Sequence, residues 1–116
     1  MDSFPPAHLL NLSTLAQSCT ETYQNFVVNK VNASCLRMAV WSGDYPWHRH
    51  PNSDELFMVV EGELMIDFHD RETVTLHPLD VFTIPAGVIH RTRAAVRTVN
   101  LCFEEIAAET EFVDEK

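Results

Sequence analysis

The segment HRHPNSDE, at residues 48–55, brings two imidazoles and a carboxylate close together in the sequence. Residues i and i+2 of an extended strand face the same side, so His48 and His50 can present their nitrogens to one point. The turn formers at 51–54 let the chain fold back, which brings Glu55 to that point at the start of the next strand. The spacing therefore predicts three metal ligands within one strand–turn–strand unit.

A fourth ligand is predicted in the segment PAGVIH, at residues 85–90. Pro85 and Gly87 favour a tight turn, because glycine readily takes a positive φ, and His90 then begins another strand. Three imidazoles and one carboxylate suit Fe(II), Mn(II), Ni(II), Cu(II) or Zn(II). Four protein ligands on a six-coordinate ion leave positions open for water or substrate, which is typical of a reactive centre rather than a closed structural one.

The elements that must position these ligands are strands. From about residue 24, short segments rich in Val, Ile, Thr and Phe are each bounded by Gly, Pro, Asn or Asp. This pattern predicts an all-β fold, a small antiparallel β-barrel or jelly roll (double-stranded β-helix). A short helix is predicted over residues 11–19, capped by Asn11 or Ser13.

The predicted organisation has three parts. Residues 1–22 form an N-terminal arm with the short helix, residues 23–104 form the β-barrel, and residues 105–116 form an acidic C-terminal tail. This tail is expected to fray into solvent or to form a short terminal helix.

Composition excludes several classes of function. The 116 residues are 46% hydrophobic and suggest one compact domain, and the formal net charge is -9. Such a charge repels phosphate backbones and anionic lipid, so neither nucleic acid nor a membrane is an expected partner. Three widely spaced cysteines without a Cys-x-x-Cys pair predict free, mostly buried thiols. With no signal peptide recognised, the expected location is the cytoplasm.

The ligand spacing resembles the two sequence motifs of the cupin family. The first motif is matched by Gly43, His48, His50, Glu55 and Gly62. The resemblance covers roughly residues 35–103, and the short spacer between the motifs is similar to that of compact single-domain bacterial cupins.

The second cupin motif is matched by Pro85, Gly87 and His90. Leu79 stands where the motif begins with glycine, so the turn before that strand is expected to differ. Ala94 stands where the motif ends with asparagine, which removes a polar group from the barrel wall.

The resemblance implies a divalent transition metal (Fe, Mn, Ni or Zn) inside a small barrel whose mouth admits a small-molecule ligand. It implies metal-dependent chemistry such as dioxygenation or sugar isomerisation. The alternative is a non-catalytic sensor or binding module that holds the small molecule without converting it. Compact cupins are commonly homodimers, so a homodimer is expected here.

Three aromatic residues near the predicted ligands are candidates for the lining of the pocket: Trp47, Phe57 and Phe82. The alternative for Phe57 and Phe82 is the hydrophobic core, which is favoured. The alternative for Trp47 is packing against the neighbouring strand.

Arginines near the predicted site are assigned by strand alternation. Arg37 lies on a strand before the first motif and is predicted to face outward. If it faced inward, it would be able to hold a substrate carboxylate or phosphate. Arg91 and Arg93 alternate with His90 and Thr92, so they are expected to face away from the metal.

Overall fold

The computed structural model describes residues 3–114, which form one short helix and eight strands. All strand pairs are antiparallel, so the predicted all-β fold with a short N-terminal helix is confirmed. The elements are α1 (Leu12–Gln17), β1 (Tyr23–Val31), β2 (Ser34–Arg49), β3 (Glu55–Glu61), β4 (Leu64–Phe68), β5 (Val74–Leu76), β6 (Val81–Ile84), β7 (His90–Glu105) and β8 (Glu111–Phe112).

The two long strands β2 and β7 pair with each other and join two sheets. In the first sheet, residues 34–41 of β2 pair with β1 and with residues 98–105 of β7, and β3 and β6 extend the sheet. In the second sheet, residues 43–48 of β2 pair with residues 90–94 of β7, and β4, β5 and β8 complete it. The strands thus form a jelly roll, and their hydrogen-bonded ladder over residues 3–114 is not a closed ring.

Two hydrophobic clusters stabilise this arrangement. The first lies between the sheets, because it combines side chains of the first sheet, such as Phe57 and Ile84, with side chains of the second, such as Leu64 and Ile66. The second lies on the outer face of the first sheet, where α1 covers residues such as Val28, Met38 and Leu101. The part of the first sheet under α1 is therefore buried on both faces.

The helix begins where the sequence predicts it. Asn11 is the N-cap, and its Oδ1 accepts a hydrogen bond of 2.9 Å from the backbone N–H of Thr14. Ala16 is the helical residue that is buried against the first sheet. The helix ends at Gln17, two residues before the predicted boundary.

The C-terminal tail differs from its prediction. Residues 106–113, which we call the C-terminal strap, run from the turn between β1 and β2 to the edge of the second sheet instead of fraying or forming a helix. Ile106 donates to the carbonyl of Ala33 (2.8 Å), β8 pairs with β2, and Val113 donates to the carbonyl of Trp47 (3.0 Å). A strand of two residues is too short to show alternation in the sequence. The outermost parts of the predicted arm and tail, residues 1–2 and 115–116, lie outside the described residues.

Two smaller predictions concern covalent and membrane features. The three cysteines are free and buried, as predicted. Within residues 3–114, no helix has the length and apolar character needed to span a bilayer.

Candidate metal centre

The structure brings together the four residues that the sequence spacing selects. His48 lies near the end of β2, opposite His90 at the start of β7, and Glu55 begins β3. His50 follows β2 directly. All four side chains are buried, and one donor atom from each lies within 4.8 Å of the other three. This separation fits ligands of one metal ion, since donors about 2.0–2.2 Å from a metal are roughly 3–4.4 Å apart.

The three imidazoles are oriented by backbone carbonyls. Nδ1 of His48 lies 2.8 Å from the carbonyl oxygen of Pro46, and Nδ1 of His90 lies 2.9 Å from that of Val88. Nδ1 of His50 lies 2.9 Å from a third carbonyl oxygen, that of Glu109 in the C-terminal strap. Because a carbonyl only accepts hydrogen bonds, each Nδ1 carries a proton. In the neutral ring Nε2 then keeps its lone pair, which is the arrangement that outer contacts impose on histidine ligands.

Three buried polar atoms in this cluster have no hydrogen-bond partner among residues 3–114: Nε2 of His50, Nε2 of His90 and Oε1 of Glu55. Glu55 Oε1 lies 3.1 Å from His50 Nε2 and 3.6 Å from His90 Nε2, which is ion-pair distance, yet neither contact is a hydrogen bond. Buried polar atoms in proteins nearly always have a partner. A cation bound between these atoms would satisfy all three, so the residues fit a divalent metal.

The charges of the cluster also favour a cation. Burial lowers the pKa of His48 to about 4, with the neighbouring His90 contributing further, so His48 is neutral near pH 7. The contact with Glu55 raises the pKa of His50 to about 9. Burial alone would raise the pKa of Glu55, but the contacts with His50 and His90 outweigh it and hold that pKa well below its usual range. Without a metal, the proton of His50 balances the charge of Glu55 near pH 7, and a bound divalent cation would take the place of that proton.

A cavity of about 110 Å³ opens beside the cluster. It is smaller than the roughly 300–1,000 Å³ of pockets that enclose drug-sized ligands, so it suits a molecule of few atoms. Its lining combines three of the four clustered residues with aromatic and polar side chains: Tyr23, Asn25, Arg37, Ala39, Trp41, Tyr45, His48, His50, Glu55, Phe57, Thr92, Asn100, Cys102 and Glu104.

The three aromatic candidates for the pocket lining occupy different places. Phe57 lines the cavity. Trp47 is buried on the opposite face of β2 from His48, where its ring lies 4.3 Å from the ring of His69, so it is not among the lining residues. Phe82 packs against the first hydrophobic cluster, 6.0 Å from the ring of Phe68, and is likewise not among the lining residues.

The outward orientation predicted for Arg37 is wrong, because Arg37 lines the cavity. Leu36 and Met38, its neighbours in β2, pack on the outer face of the first sheet, so alternation turns Arg37 inward.

Arg91 and Arg93 face away from the cluster, as expected. Nε of Arg91 lies 2.8 Å from Oδ2 of Asp67 on β4, and Nε of Arg93 lies 2.6 Å from the same oxygen. Arg93 makes a second bond of 2.9 Å to Oδ1 of Asp67, and Thr73 donates to the same oxygen at 2.6 Å. This network holds the outer face of the second sheet together beside the strand that carries His90.

Sequence reasoning missed Glu104 as a cavity residue. Asn100, Cys102 and Glu104 alternate along β7 and all three line the cavity, while Leu101 packs under α1. Burial raises the pKa of Glu104 to about 7, and the charge of Glu55 adds to this effect. The sequence signal for these residues is that they share one, more polar, face of β7. Such a face normally points to solvent, but here it points to the cavity.

Comparisons with known proteins agree with this architecture. Residues 37–102 match the family described as Cupin domain. The chain is 52% identical over 106 residues to the uncharacterized protein YdbB of Bacillus subtilis (strain 168), covering 91% of this chain and 94% of that protein. Its structure is similar to a cupin-2 domain containing protein from Shewanella frigidimarina NCIMB 400, with a TM-score of 0.79, 27% identity and coverage of 84% and 94%. It is also similar to protein NMB1881 from Neisseria meningitidis, with a TM-score of 0.77, 26% identity and coverage of 84% and 99%.

Proposed function

This chain belongs to the cupin family, and on that premise we propose that it binds a divalent transition metal (Fe, Mn, Ni or Zn) through His48, His50, Glu55 and His90. The metal centre binds a small molecule in the adjoining cavity and converts it by dioxygenase-like or isomerase-like chemistry. Such an ion, when bound, supplies Lewis acidity and, in the case of iron, redox chemistry toward an oxygen-bearing molecule.

One observation carries this proposal: the convergence of buried polar atoms that have no hydrogen-bond partner, at the wall of a cavity. A structural histidine in a core would have both ring nitrogens satisfied. Here the Nδ1 atoms are held by carbonyls, whereas Nε2 of His50 and of His90 is left for an external partner.

The residues around the cluster would control access to it. The rings of Tyr45 and His48 contact each other edge to face at 5.0 Å, and Phe57 lies against His90 at 6.4 Å. These apolar surfaces limit the number of water molecules next to the ligand atoms. Because the lining also contains polar groups, the molecule that enters can be oriented by hydrogen bonds.

The test is elemental analysis of untagged protein purified without oxygen and then offered Fe(II), Mn(II), Ni(II) or Zn(II). We expect about one metal ion per chain in the wild type and a clear loss in Glu55→Gln, which keeps the shape of the side chain but removes the ligand charge. Glu63→Gln, at a partly exposed position outside the cluster, is the matched control and should retain the metal. Equal metal content in the wild type and Glu55→Gln would contradict the proposal.

The loaded protein then separates catalysis from sensing. Conversion of a bound small molecule, followed by mass spectrometry, supports the enzyme. Stable binding with no change in the molecule supports the sensor or binding module.

We also propose a homodimer in which the outer face of the first sheet contacts a second copy. Leu36, Phe103 and Leu56 lie side by side across β2, β7 and β3, and Phe103 is 38% exposed. Sedimentation at micromolar concentration should detect a dimer for the wild type and a monomer for Phe103→Glu. A monomeric wild type would refute this assembly.

A cytoplasmic location stays a prediction. Cys19, Cys35 and Cys102 are free and buried, which suits a reducing compartment. Fractionation of cells that express the native chain would test it, and recovery of the protein outside the cytoplasm would contradict it.

A further inference from the structure

We propose that Arg37 is the anion-binding end of the cavity and that the small molecule is a short carboxylate with a second oxygen atom for the metal. This inference rests on the proposed metal function, because it assigns the substrate class of the same site.

Arg37 differs from the other arginines in its partners. Its Nε donates to Oδ1 of Asn25 at 3.1 Å, and within residues 3–114 no carboxylate lies within salt-bridge distance of its guanidinium. Other arginines contact carboxylates or aromatic rings: Arg49 with Glu111, Arg91 and Arg93 with Asp67, Arg97 with Glu61, and Arg71 with Phe68 and Phe82.

The position of Arg37 is unusual for an unpaired cation. Its side chain is half-buried in a concave site of a chain with net charge -9, where acidic partners are abundant. The hydrogen bond to Asn25 fixes the guanidinium through Nε and leaves its terminal nitrogens without a hydrogen bond within the described chain. Two terminal N–H groups in a fixed plane match the two oxygens of a carboxylate.

Strand register sets the length of the molecule. Arg37 pairs with Cys102, and Cys102 pairs with Phe57, so two strand spacings separate Arg37 from β3. Glu55 lies on the same face as Phe57, two residues earlier in that strand. Since neighbouring strands are about 4.8 Å apart, the two backbones are roughly 10 Å apart. Side chains on one face of a sheet stand roughly perpendicular to it, so a molecule of a few carbon atoms would bridge the separation between Arg37 and the metal ligands.

The charges around Arg37 favour a carboxylate over a phosphate. Among the described residues, Arg37 is the only lysine or arginine in the cavity lining, which also contains the carboxyl groups of Glu55 and Glu104. A phosphate monoester carries about -1.5 to -2 charges near pH 7 and would be repelled by both carboxyl groups, whereas a carboxylate carries one. Tyr23 and Tyr45, stacked with their rings 6.3 Å apart and 11° from parallel, add an apolar wall for the carbon chain.

The test uses linear hydroxy carboxylates of three to six carbons, each paired with its uncharged amide, and inorganic phosphate as the third arm. Binding is measured by NMR titration of the metal-free protein and by calorimetry of the Zn(II)-loaded protein. Metal content is determined separately for every sample, so failure of metal uptake is distinguished from failure of the carboxylate site.

We expect at least one carboxylate of the series to bind the wild type more tightly than its amide and than phosphate. Arg37→Gln should weaken that carboxylate about 10- to 100-fold in both forms of the protein, because a hydrogen-bonded charge is lost, and should leave metal content unchanged. The affinity of Arg37→Lys for that carboxylate should lie between those of the wild type and Arg37→Gln. Arg71→Gln, which makes the same change in net charge at a residue outside the cavity lining, should bind like the wild type.

Three results would overturn the inference: no carboxylate of the series binds the wild type in either form, the amide or phosphate binds as tightly as the carboxylate, or Arg37→Gln binds like Arg71→Gln. Comparison of carboxylate and amide on the wild type decides the question even if a variant does not fold. If the wild type takes up no metal, the proposed function fails, while the effect of Arg37 on the metal-free protein still decides this inference.

Discussion

Nδ1 of His50 lies 2.9 Å from the backbone carbonyl oxygen of Glu109, a residue 59 positions later in the chain. This contact connects one candidate metal ligand to the C-terminal strap. Asn52 holds the strap in place, because its Nδ2 donates to the carbonyl of Ala107 at 2.9 Å and its Oδ1 accepts from the N–H of Glu109 at 2.8 Å. The strap thus sets which nitrogen of His50 faces the other ligands.

Asn52→Ala should therefore weaken metal binding without unfolding the protein. Both hydrogen bonds to the strap are lost, so the Glu109 carbonyl no longer fixes the His50 ring, and loss of such outer contacts typically lowers metal affinity about 10- to 100-fold. Competition with a metal chelator measures the change. Asn11→Ala is the matched control: it removes the helix N-cap, about 1 kcal/mol of stability, and should leave the affinity unchanged. Equal affinities of the two variants would refute the role of the strap.

His90→Ala should fold but lose most of its metal. His90 is fully buried, with its ring 6.4 Å from that of Phe57, so its truncation leaves a small cavity. The apolar side chains of the two hydrophobic clusters remain and keep the sheets together. Metal stabilises the native state by mass action, so added Zn(II) should raise the melting temperature of the wild type but not that of the variant. His77→Ala, at an exposed histidine, is the control. An unfolded or aggregated His90→Ala would show that the ion is structural and would contradict the account.

Asp67→Asn should destabilise the fold in a pH-dependent way. Arg93 above all, with Thr73 and Arg91, holds the pKa of Asp67 well below its usual range despite burial. A carboxyl group whose pKa is depressed on folding stabilises the native state above the unfolded pKa, about 3.9, and this contribution is lost as the pH falls below it. We expect a loss of about 2–3 kcal/mol at pH 7.

Urea unfolding at several pH values checks this prediction for Asp67. The difference between the wild type and Asp67→Asn should shrink as the pH falls from about 5 to 2. Asp70→Asn, at an exposed position close in sequence, should be nearly neutral throughout. A constant difference at all pH values would show that the charge of Asp67 is not the cause.

Leu79→Gly should stabilise the protein. Leu79 has φ of 73° and is 79% exposed, so its side chain is in the left-handed region with little packing in return. In the folded protein, that conformation costs a residue with a Cβ atom about 1–2 kcal/mol, which glycine avoids. In the unfolded chain, glycine has more conformational freedom, which offsets about 0.5–1 kcal/mol of this stabilisation. We expect a net gain of about 0.5–1 kcal/mol in the free energy of unfolding. Leu79→Ala keeps the Cβ and should show no gain, and equal stability of both variants would contradict the explanation.

The strands and the cluster of ligands follow from local sequence rules. Residues i and i+2 face the same side of a strand, and the turn at 51–54 reverses the chain, so the sequence alone is enough to place His48, His50 and Glu55 near one point. The return of His90 to that point depends on the pairing of β2 with β7, which only the resemblance to a family motif made predictable.

The side-chain orientation of Arg37 and Glu104 and the path of the C-terminal strap are harder to predict from the sequence, for physical reasons. The first sheet has apolar side chains on both faces, so alternation does not indicate which face contains the cavity or that Arg37 and Glu104 line it. The C-terminal strap is held by a few hydrogen bonds to residues far away in sequence and by two-residue pairing, neither of which leaves a periodic pattern. Long-range polar contacts of this kind have no local signature.

The central claim is that His48, His50, Glu55 and His90 together bind one metal ion beside an open cavity. The most direct measurement is anomalous diffraction from crystals of Zn(II)-loaded protein at the zinc absorption edge. We expect one strong peak per chain, about 2.0–2.2 Å from Nε2 of the three histidines and from a carboxylate oxygen of Glu55, with at least one further position open to the cavity. A peak elsewhere, or none at this cluster in fully loaded protein, would contradict it.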